Sequence, residues 1–354
     1  MAVTNRAVIL AEKVFSSTYG KTAHGLVRFS AKYEIVAVID SQLVGFDAGE
    51  YLEGRPKGIP IVGSLEDSLK FNPSYLIIGV ATDGGILPPE YRKIVKEAIL
   101  QGLSIVNGLH DFISDDPELC GLAHEKGVEI IDVRKIFRDR KIPFTGEIEK
   151  VKSFKIAVLG TDSAIGKRTT TILLMKELQR RGFTSEMIGT GQTSWMQGIE
   201  HTAVIDATIN DFVAGAIENE VVEAWKKSTP DFILLEGQGS VVHPAYPGSY
   251  EIIAAGRPDA IILQDAPGRK FMDGFENYPM PDTGRVIKIL ELLSGKRVIA
   301  ITVNTQNLTA EETLQAVQEY EFKYHIPAVL PLLEIERLGE LVANFAGQRQ
   351  ILID

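Results

Sequence analysis

Residues 160–169, GTDSAIGKRT, combine glycines, a lysine, an arginine and hydroxyl side chains in a pattern that suits the binding of a phosphate group. Gly166 lets the backbone turn so that successive N–H groups point at phosphate oxygens. Lys167 adds a compact ammonium for a terminal phosphate. We therefore predict cofactor-binding roles for the whole stretch: Gly160, Thr161, Asp162, Ser163, Ala164, Ile165, Gly166, Lys167, Arg168 and Thr169.

The flanking residues indicate a strand before this loop and a helix after it. An apolar run, FKIAVL, precedes the loop, and the apolar-periodic run ILLMKEL follows it. This order resembles the Walker A form, G-x-x-x-x-G-K-[ST], with two departures. Five residues separate Gly160 from Gly166 instead of four, and Arg168 stands where the magnesium-binding hydroxyl normally follows the lysine. Phosphate binding is therefore favoured over magnesium-dependent hydrolysis, and the alternative is an ordinary glycine-containing turn.

Polar residues at the ends of other predicted strands are candidates for catalysis, because ligands of open parallel sheets lie outside the carboxyl ends of the strands. Glu236 follows the run DFILL and is predicted to act as a general base or as a magnesium ligand. His243, in the next loop, has a side chain suited to proton transfer near neutral pH. Asp265 ends another strand and is a third catalytic candidate. Each has a structural alternative: bonding to backbone N–H groups, lying in a surface loop, or capping the next segment.

Further residues are predicted to contact ligands. Thr169 and Glu236 are expected to bind a metal only if a magnesium–nucleotide complex is bound. Arg269 is a candidate for binding a substrate carboxylate, because a guanidinium forms two parallel hydrogen bonds with that group. Lys270 and Gln192 are also predicted substrate residues, and the alternative for Arg269 and Lys270 is that both are solvated charges. Asn304, at the end of the run VIAITV, is predicted to contact the cofactor or to end its strand in a turn.

Apolar runs alternate with helical patterns along the whole chain, which predicts an α/β fold with mainly parallel sheets. In the first half, a buried strand, a crossover and a second strand ending in Asp40 outline a Rossmann-like unit, but the G-x-G-x-x-G fingerprint is absent. We place a linker near residues 136–152, which are charged and contain Pro143 and Gly146. The predicted domains are therefore a Rossmann-like unit at 1–140 and a P-loop NTPase-like unit at 141–354.

Composition narrows the possible partners. A chain of 354 residues is long enough for two domains, and its net charge of −10 disfavours nucleic-acid or anionic-membrane binding. Cys120 is the only cysteine, which excludes an intramolecular disulfide and fits a cytoplasmic location. No apolar run approaches the roughly 20 residues of a membrane span. We expect a small-molecule substrate and a homo-oligomer.

The loop GTDSAIGKRTT is similar to the G-T-D-T-x-x-G-K-T loop of dethiobiotin synthetase-type P-loop enzymes. Those enzymes also carry an E-G-x-G sequence like the one that begins at Glu236, and related P-loop enzymes recognise a base near the position of Asn304. A closer resemblance, over nearly the whole chain, is to a two-domain bacterial family represented by D-glutamate N-acetyltransferase. That resemblance implies acetyl-CoA as the donor and an amino acid of the D-glutamate type as the acceptor.

Three functions are therefore compared. The first is an acetyl-CoA-dependent N-acetyltransferase, in which the loop holds phosphates of coenzyme A without hydrolysing them. The second is an enzyme of the dethiobiotin synthetase type, in which Mg-ATP activates a carboxylate and Lys167 stabilises the transferred group. The third is a nucleotide-binding protein without catalysis. Arg168 counts against the second, and the polar residues at several strand ends count against the third.

Overall fold

A computed structural model describes residues 5–350, which form two compact units. The first unit comprises residues up to Asp139 together with Gln192–Ile199, and the second comprises Arg140–Gly191 and the residues from Glu200 onward. Each has its own apolar core. The predicted second domain was one continuous stretch from residue 141, whereas Gln192–Ile199 packs with the first unit.

Six strands and seven helices build the first unit in the described residues. The strands are β1 (Arg6–Leu10), β2 (Glu34–Ile39), β3 (Ile61–Val62), β4 (Tyr75–Ile78), β5 (Ser104–Asn107) and β6 (Ile130–Asp132). The helices are α1 (Lys21–Phe29), α2 (Ala48–Glu53), α3 (Leu65–Leu69), α4 (Pro89–Leu100), α5 (Pro117–Lys126), α6 (Val133–Arg138) and, after the second unit has begun, α8 (Gln192–Gln197). The sheet is parallel, in the order β3-β2-β1-β4-β5-β6. This is the strand order of a Rossmann-like fold.

Buried hydrogen bonds explain why α8 belongs to the first unit. The Gln197 side-chain amide donates to the carbonyl of Gly25 at 2.7 Å, and the hydroxyls of Thr22 and Thr193 lie 3.1 Å apart. These bonds satisfy polar groups that burial would otherwise leave without partners. Periodicity along the sequence cannot show such pairings, because the partners are more than 170 residues apart.

The second unit contains the longer sheet. Its strands are β7 (Phe154–Gly160), β8 (Ser185–Gly189), β9 (His201–Thr202), β10 (Phe232–Glu236), β11 (Ala260–Asp265), β12 (Phe271–Met272), β13 (Phe275–Pro279), β14 (Val298–Val303) and β15 (Ala328–Val329). Its helices are α7 (Lys167–Arg180), α9 (Asn210–Ser228), α10 (Ser249–Gly256), α11 (Thr283–Ser294), α12 (Ala310–Tyr324) and α13 (Ile335–Gln350). The main sheet is parallel, in the order β15-β14-β11-β7-β10-β8-β9, and β12 and β13 form a separate antiparallel hairpin.

Continuous apolar runs explain why β7, β10 and β11 form the centre of this sheet. Almost every residue of the three strands is buried, as expected for parallel strands covered by helices on both faces. The segment predicted as a linker is ordered where it enters the unit. The Glu218 carboxylate on α9 accepts the backbone N–H groups of Thr145 and Ile148 at 2.6 and 3.1 Å. Both predicted fold types and their parallel sheets are therefore present.

Candidate phosphate-binding site

The strand register of the second unit brings the predicted site residues to one edge of the sheet. β7 lies between β10 and β11, with Val158 paired to Glu236 on one side and Gly160 paired to Gln264 on the other. Asp265 follows in β11, where it pairs with the last residue of β14. The loop that begins after Gly160 therefore starts beside the carboxyl ends of three neighbouring strands.

Two left-handed residues give this loop its curvature. Ala164 has φ of +50° and Gly166 has φ of +101°, directly before the first turn of α7. Residues of alternating handedness make successive N–H groups converge into a concave anion-binding surface. The N-terminus of α7 adds partial positive charge at the same place. A non-glycine residue such as Ala164 is uncommon in this conformation, which is found preferentially at functional sites.

The carbonyl oxygens of residues 162–165 are all bonded to side chains. Lys167 Nζ donates to the first of these carbonyls at 2.5 Å, and Arg269 donates to the second and third at 2.9 and 3.0 Å. Asn304 Nδ2 donates to the fourth at 2.7 Å. Because the peptide group is planar, each N–H points away from the carbonyl of its own peptide. These side chains therefore orient the loop with its N–H groups away from them.

Asp162 connects the loop to two other segments of the second unit. Its carboxylate is completely buried. Oδ2 accepts from Arg269 Nη1 at 2.7 Å and from the N–H of Asp273 at 2.9 Å. Oδ1 accepts the N–H of Ser163 at 2.7 Å and lies 3.4 Å from His243 Nε2. With four groups around one carboxylate, Asp162 fixes the loop rather than facing a ligand.

Two glycines make room for the Lys167 side chain. A Cβ atom at either Gly160 or Gly237 would lie 2.9 Å from Lys167 Cδ, closer than carbon atoms pack. A Cβ at Gly237 would also lie 2.2 Å from the carbonyl oxygen of Val158. The path of the Lys167 side chain thus explains two glycines: Gly160, the first of the loop, and Gly237, the first of the E-G-x-G sequence.

Arg168 and Glu236 form an ion pair beside the first turn of α7. Arg168 Nη1 lies 3.6 Å from Glu236 Oε1, and the exposed fractions of the two side chains are 22% and 7%. Oε2 of Glu236 accepts the N–H of Thr190 at 2.9 Å. Thr169, the hydroxyl predicted to bind a metal together with Glu236, is half-buried one residue further along the helix. Among the residues that the structure describes, no group of three or more His, Cys, Asp or Glu is arranged to hold a metal ion.

The geometry of His243 differs from that predicted for a general base. Its Nδ1 atom accepts the N–H groups of Ala245 and Tyr246 at 3.1 and 3.0 Å, and its Nε2 atom faces Asp162. This bonding assigns the neutral tautomer with the proton on Nε2. The remaining lone pair is then already used, so His243 serves to position Asp162.

Asp265 likewise has a structural environment instead of a catalytic one. Its carboxylate accepts from the hydroxyls of Thr161 at 2.5 Å, Thr283 at 2.7 Å and Tyr320 at 2.5 Å, and from the N–H of Ala266 at 2.8 Å. Burial, followed by the charge of this carboxylate, raises the pKa of Tyr320 far above its usual value. Asp265 therefore joins β11, the loop, α11 and α12.

The predicted substrate residues fall in three different environments. The guanidinium of Arg269 bonds to the loop and is 8% exposed, so it supports the anion site from behind. Lys270, its neighbour, is exposed. Gln192 begins α8 in the first unit and is buried there. Both polar groups of Asn304 are bonded within the fold, its Oδ1 accepting the N–H of Gln306 at 2.8 Å, so it supports the loop instead of reading a base.

The β12–β13 hairpin was not predicted from the sequence. Asp273, at its turn, accepts a hydrogen bond from the Ser163 hydroxyl at 2.8 Å. The following Gly274 has φ of +80°. The dipeptide Asp-Gly is a recognised signal for a tight hairpin turn and would have identified this element. No comparable signal in the sequence indicated Thr190, whose N–H donates to Glu236, or Tyr320, whose hydroxyl donates to Asp265.

The first unit has a cleft of about 320 Å³ beside β1 and β4, where its strand order reverses. Several of its lining residues follow these two strands: Glu12, Lys13, Val14, Val80 and Thr82. In dinucleotide-binding folds, an acid at the end of the second strand bonds to the ribose. Here the carboxylate of Asp40 instead accepts the N–H groups of Phe15 and Gln42 at 3.0 and 2.9 Å. The unit is Rossmann-like in topology, and its acid is used to hold the loop after β1.

A parallel α/β unit with a glycine-bounded, N–H-rich loop between a central strand and a helix defines a P-loop domain, here joined to a Rossmann-like domain. The chain belongs to the DUF1611 family. Residues 142–339 match the family's P-loop domain and residues 41–136 match its Rossmann-like domain, both described as domains of unknown function. The family resemblance expected from the sequence and the two fold types are confirmed.

Two relatives are named D-glutamate N-acetyltransferase. The protein from Tritonibacter scottomollicae is 32% identical over 282 residues, which cover 76% of this chain and 80% of the relative. The protein from Pseudoalteromonas sp is 28% identical over 288 residues, covering 79% and 84%. A crystal structure of a DUF1611 family protein from Anabaena variabilis is 30% identical, with a TM-score of 0.88 over 98% of this chain and all of that one. Among the described helices, none is both long and apolar enough to cross a membrane.

Proposed function

We propose that this chain is an N-acetyltransferase that transfers the acetyl group of acetyl-CoA to the amino group of an amino acid of the D-glutamate type. The observation that carries the proposal is the loop at residues 162–165, whose four carbonyls are bonded to Lys167, Arg269 and Asn304. Because Asp162 accepts the N–H of Ser163, this arrangement leaves the N–H groups of residues 164–166 for an anion. Coenzyme A offers a pyrophosphate and a further phosphate. The names of the two relatives support acetyl transfer and the choice of acceptor.

The reaction joins the amine nitrogen to the thioester carbonyl carbon and breaks the bond from that carbon to sulfur. The acceptor ammonium loses one proton to a base before the attack, and the nitrogen loses a second proton as the amide forms. The leaving thiolate takes up one of these two protons, so one proton is released overall. Donors that stabilise negative charge on the thioester oxygen are also required. Backbone N–H groups of the glycine loops are suited to that task. The role of Glu236 as proton acceptor stays a prediction, and its ion pair with Arg168 gives this carboxylate a second role.

Product analysis by mass spectrometry tests the proposal. The purified chain is incubated with acetyl-CoA and D-glutamate, L-glutamate or D-aspartate, and in parallel with Mg-ATP and the same acceptors. We expect an N-acetyl amino acid and free coenzyme A in the first series, with D-glutamate as the best acceptor. Formation of ADP or a phosphorylated acceptor in the second series, with no acetylated product in the first, would instead identify an ATP-dependent enzyme.

Three variants assign the residues. Lys167→Ala is expected to lose acetyl transfer, because the ammonium beside the loop is removed. Lys176→Ala removes the same charge from an exposed position of the same helix and serves as its control. Glu236→Gln is expected to lower turnover. If turnover of Glu236→Gln equals that of the unmodified chain, then Glu236 is not the proton acceptor.

A further inference from the structure

An arginine, Arg168, directly follows the lysine of the loop. In phosphate loops of the general form, a serine or threonine at this position and an acid at a neighbouring strand end together hold Mg²⁺ against the phosphates. In this chain the corresponding residues are Arg168, after Lys167, and Glu236, at the end of β10. A hydroxyl ligand for the metal is therefore replaced by a permanent positive charge.

The Arg168 side chain reaches the acid that would otherwise hold the metal. Its Nη1 atom lies 3.6 Å from Glu236 Oε1, and it is mostly shielded from solvent. Glu236 is held in turn by the N–H of Thr190. The first turn of α7, which carries Arg168, thus places a guanidinium beside the acid of β10. A divalent cation at the same place would meet a like charge at close range, which is unfavourable.

We propose that Arg168 is a built-in cation that replaces Mg²⁺, so that the loop binds a pyrophosphate-bearing ligand without a divalent metal. This inference rests on the proposed function, in which that ligand is coenzyme A. A guanidinium matches two phosphate oxygens with parallel hydrogen bonds, as a metal ion bridges two of them. Glu236 orients the guanidinium before the ligand arrives. Arg168 is then the residue that specifies a metal-free ligand over a magnesium–nucleotide complex.

Isothermal titration with coenzyme A, which cannot be turned over, tests this proposal in buffer containing either EDTA or Mg²⁺. We expect the unmodified chain to bind with the same dissociation constant in both buffers. Arg168→Thr should bind coenzyme A between about tenfold and a hundredfold more weakly in EDTA, because a charge-assisted contact is lost. Mg²⁺ should restore part of that affinity, since the new hydroxyl and Glu236 recreate the usual pair. The double variant Arg168→Thr, Glu236→Gln should show no restoration.

Lys176→Thr is the matched control, because it removes one positive charge from an exposed position of the same helix. It should bind as the unmodified chain does in both buffers. Arg168→Lys keeps the positive charge and should lose less affinity for coenzyme A than Arg168→Thr does. With this second variant, the role of the charge is tested even if the threonine variant folds poorly. The proposal is overturned if the unmodified chain needs Mg²⁺ to bind, or if Arg168→Thr in EDTA matches Lys176→Thr.

ADP as a second probe separates this inference from the proposed function. If ADP binds without metal and depends on Arg168 whereas coenzyme A does not bind, the acetyltransferase proposal fails and the role of Arg168 stands. If coenzyme A binds and is used for acetyl transfer but only with Mg²⁺, the role of Arg168 fails and the function stands.

Discussion

The Nη1 atom of Arg269 lies 2.7 Å from the Oδ2 atom of Asp162, and the two side chains are 8% and 0% exposed. The same guanidinium donates to two carbonyl oxygens of the phosphate loop. This buried pair therefore holds together the loop after β7 and the segment after β11. Its hydrogen bonds to the loop carbonyls mean that it fixes the backbone of the loop.

Arg269→Ala should destabilise the second unit and weaken coenzyme A binding. Removing one partner of a buried pair leaves the other charge uncompensated, which costs about 3–5 kcal/mol in the free energy of unfolding. Lys270→Ala, at the exposed neighbour, is the control and should change that free energy by no more than about 0.5 kcal/mol. Urea unfolding and titration with coenzyme A measure both effects. If Arg269→Ala leaves both the free energy of unfolding and the affinity for coenzyme A unchanged, the role given to the Arg269–Asp162 pair is wrong.

Gly237→Ala should disturb the Lys167 side chain. The added Cβ would lie 2.2 Å from the Val158 carbonyl oxygen and 2.9 Å from Lys167 Cδ, so the backbone or the lysine must move. We expect a loss of about 1–3 kcal/mol in the free energy of unfolding and weaker coenzyme A binding. Gly191→Ala is the matched control, because a Cβ there has no neighbour within 4 Å. Equal behaviour of the two variants would show that the path of the lysine is not constrained as described.

Asp265→Asn should lower stability more than catalysis. The carboxylate accepts four hydrogen bonds, and an amide in its place cannot accept all of them, which costs about 1–3 kcal/mol. We expect a lower melting temperature with kcat changed only a few-fold at a temperature where the variant is folded. A kcat reduced by orders of magnitude at an unchanged melting temperature would restore Asp265 to the catalytic residues.

The stability of the first unit should fall in mild acid because of His24. Burial lowers the pKa of His24 from 6.5 to about 4, and its Nε2 atom lies 2.6 Å from the carbonyl oxygen of Phe15. The unfolded chain takes up this proton at a higher pH than the folded chain does. The contribution of neutral His24 to the free energy of unfolding is therefore complete above about pH 6.5 and is lost as the pH falls towards 4. The loss between pH 7 and pH 5 is about 2 kcal/mol.

His24→Gln should remove this pH dependence, because glutamine does not titrate. Urea unfolding of the first unit at pH 7 and pH 5 measures it. The exposed His124 provides the control variant His124→Gln, which should keep the dependence of the unmodified chain. If the free energy of unfolding falls by the same amount between pH 7 and pH 5 in His24→Gln and in the unmodified chain, another group causes the loss.

The sequence was sufficient for the fold types, the parallel sheets and the position of the glycine-bounded loop between β7 and α7. These features have local signals in the sequence: long apolar runs for the strands, and glycines with a lysine for the loop. The ends of the apolar runs also give the ends of the strands. The roles of Asp265 and Asn304 were not accessible in this way. Their partners, Tyr320 and the carbonyl of Ile165, lie 55 and 139 residues away, and a strand-end position alone does not show whether a side chain faces a ligand or another loop.

A structure of the complex with coenzyme A shows whether the loop binds phosphate without a metal ion. We predict a phosphate group bound by backbone N–H groups of the loop between Ala164 and Lys167, with the Arg168 guanidinium within hydrogen-bond distance of it. No metal ion is expected between that phosphate and Glu236. Phosphates bound away from the loop, or a magnesium ion bridging the phosphate and Glu236, would contradict it.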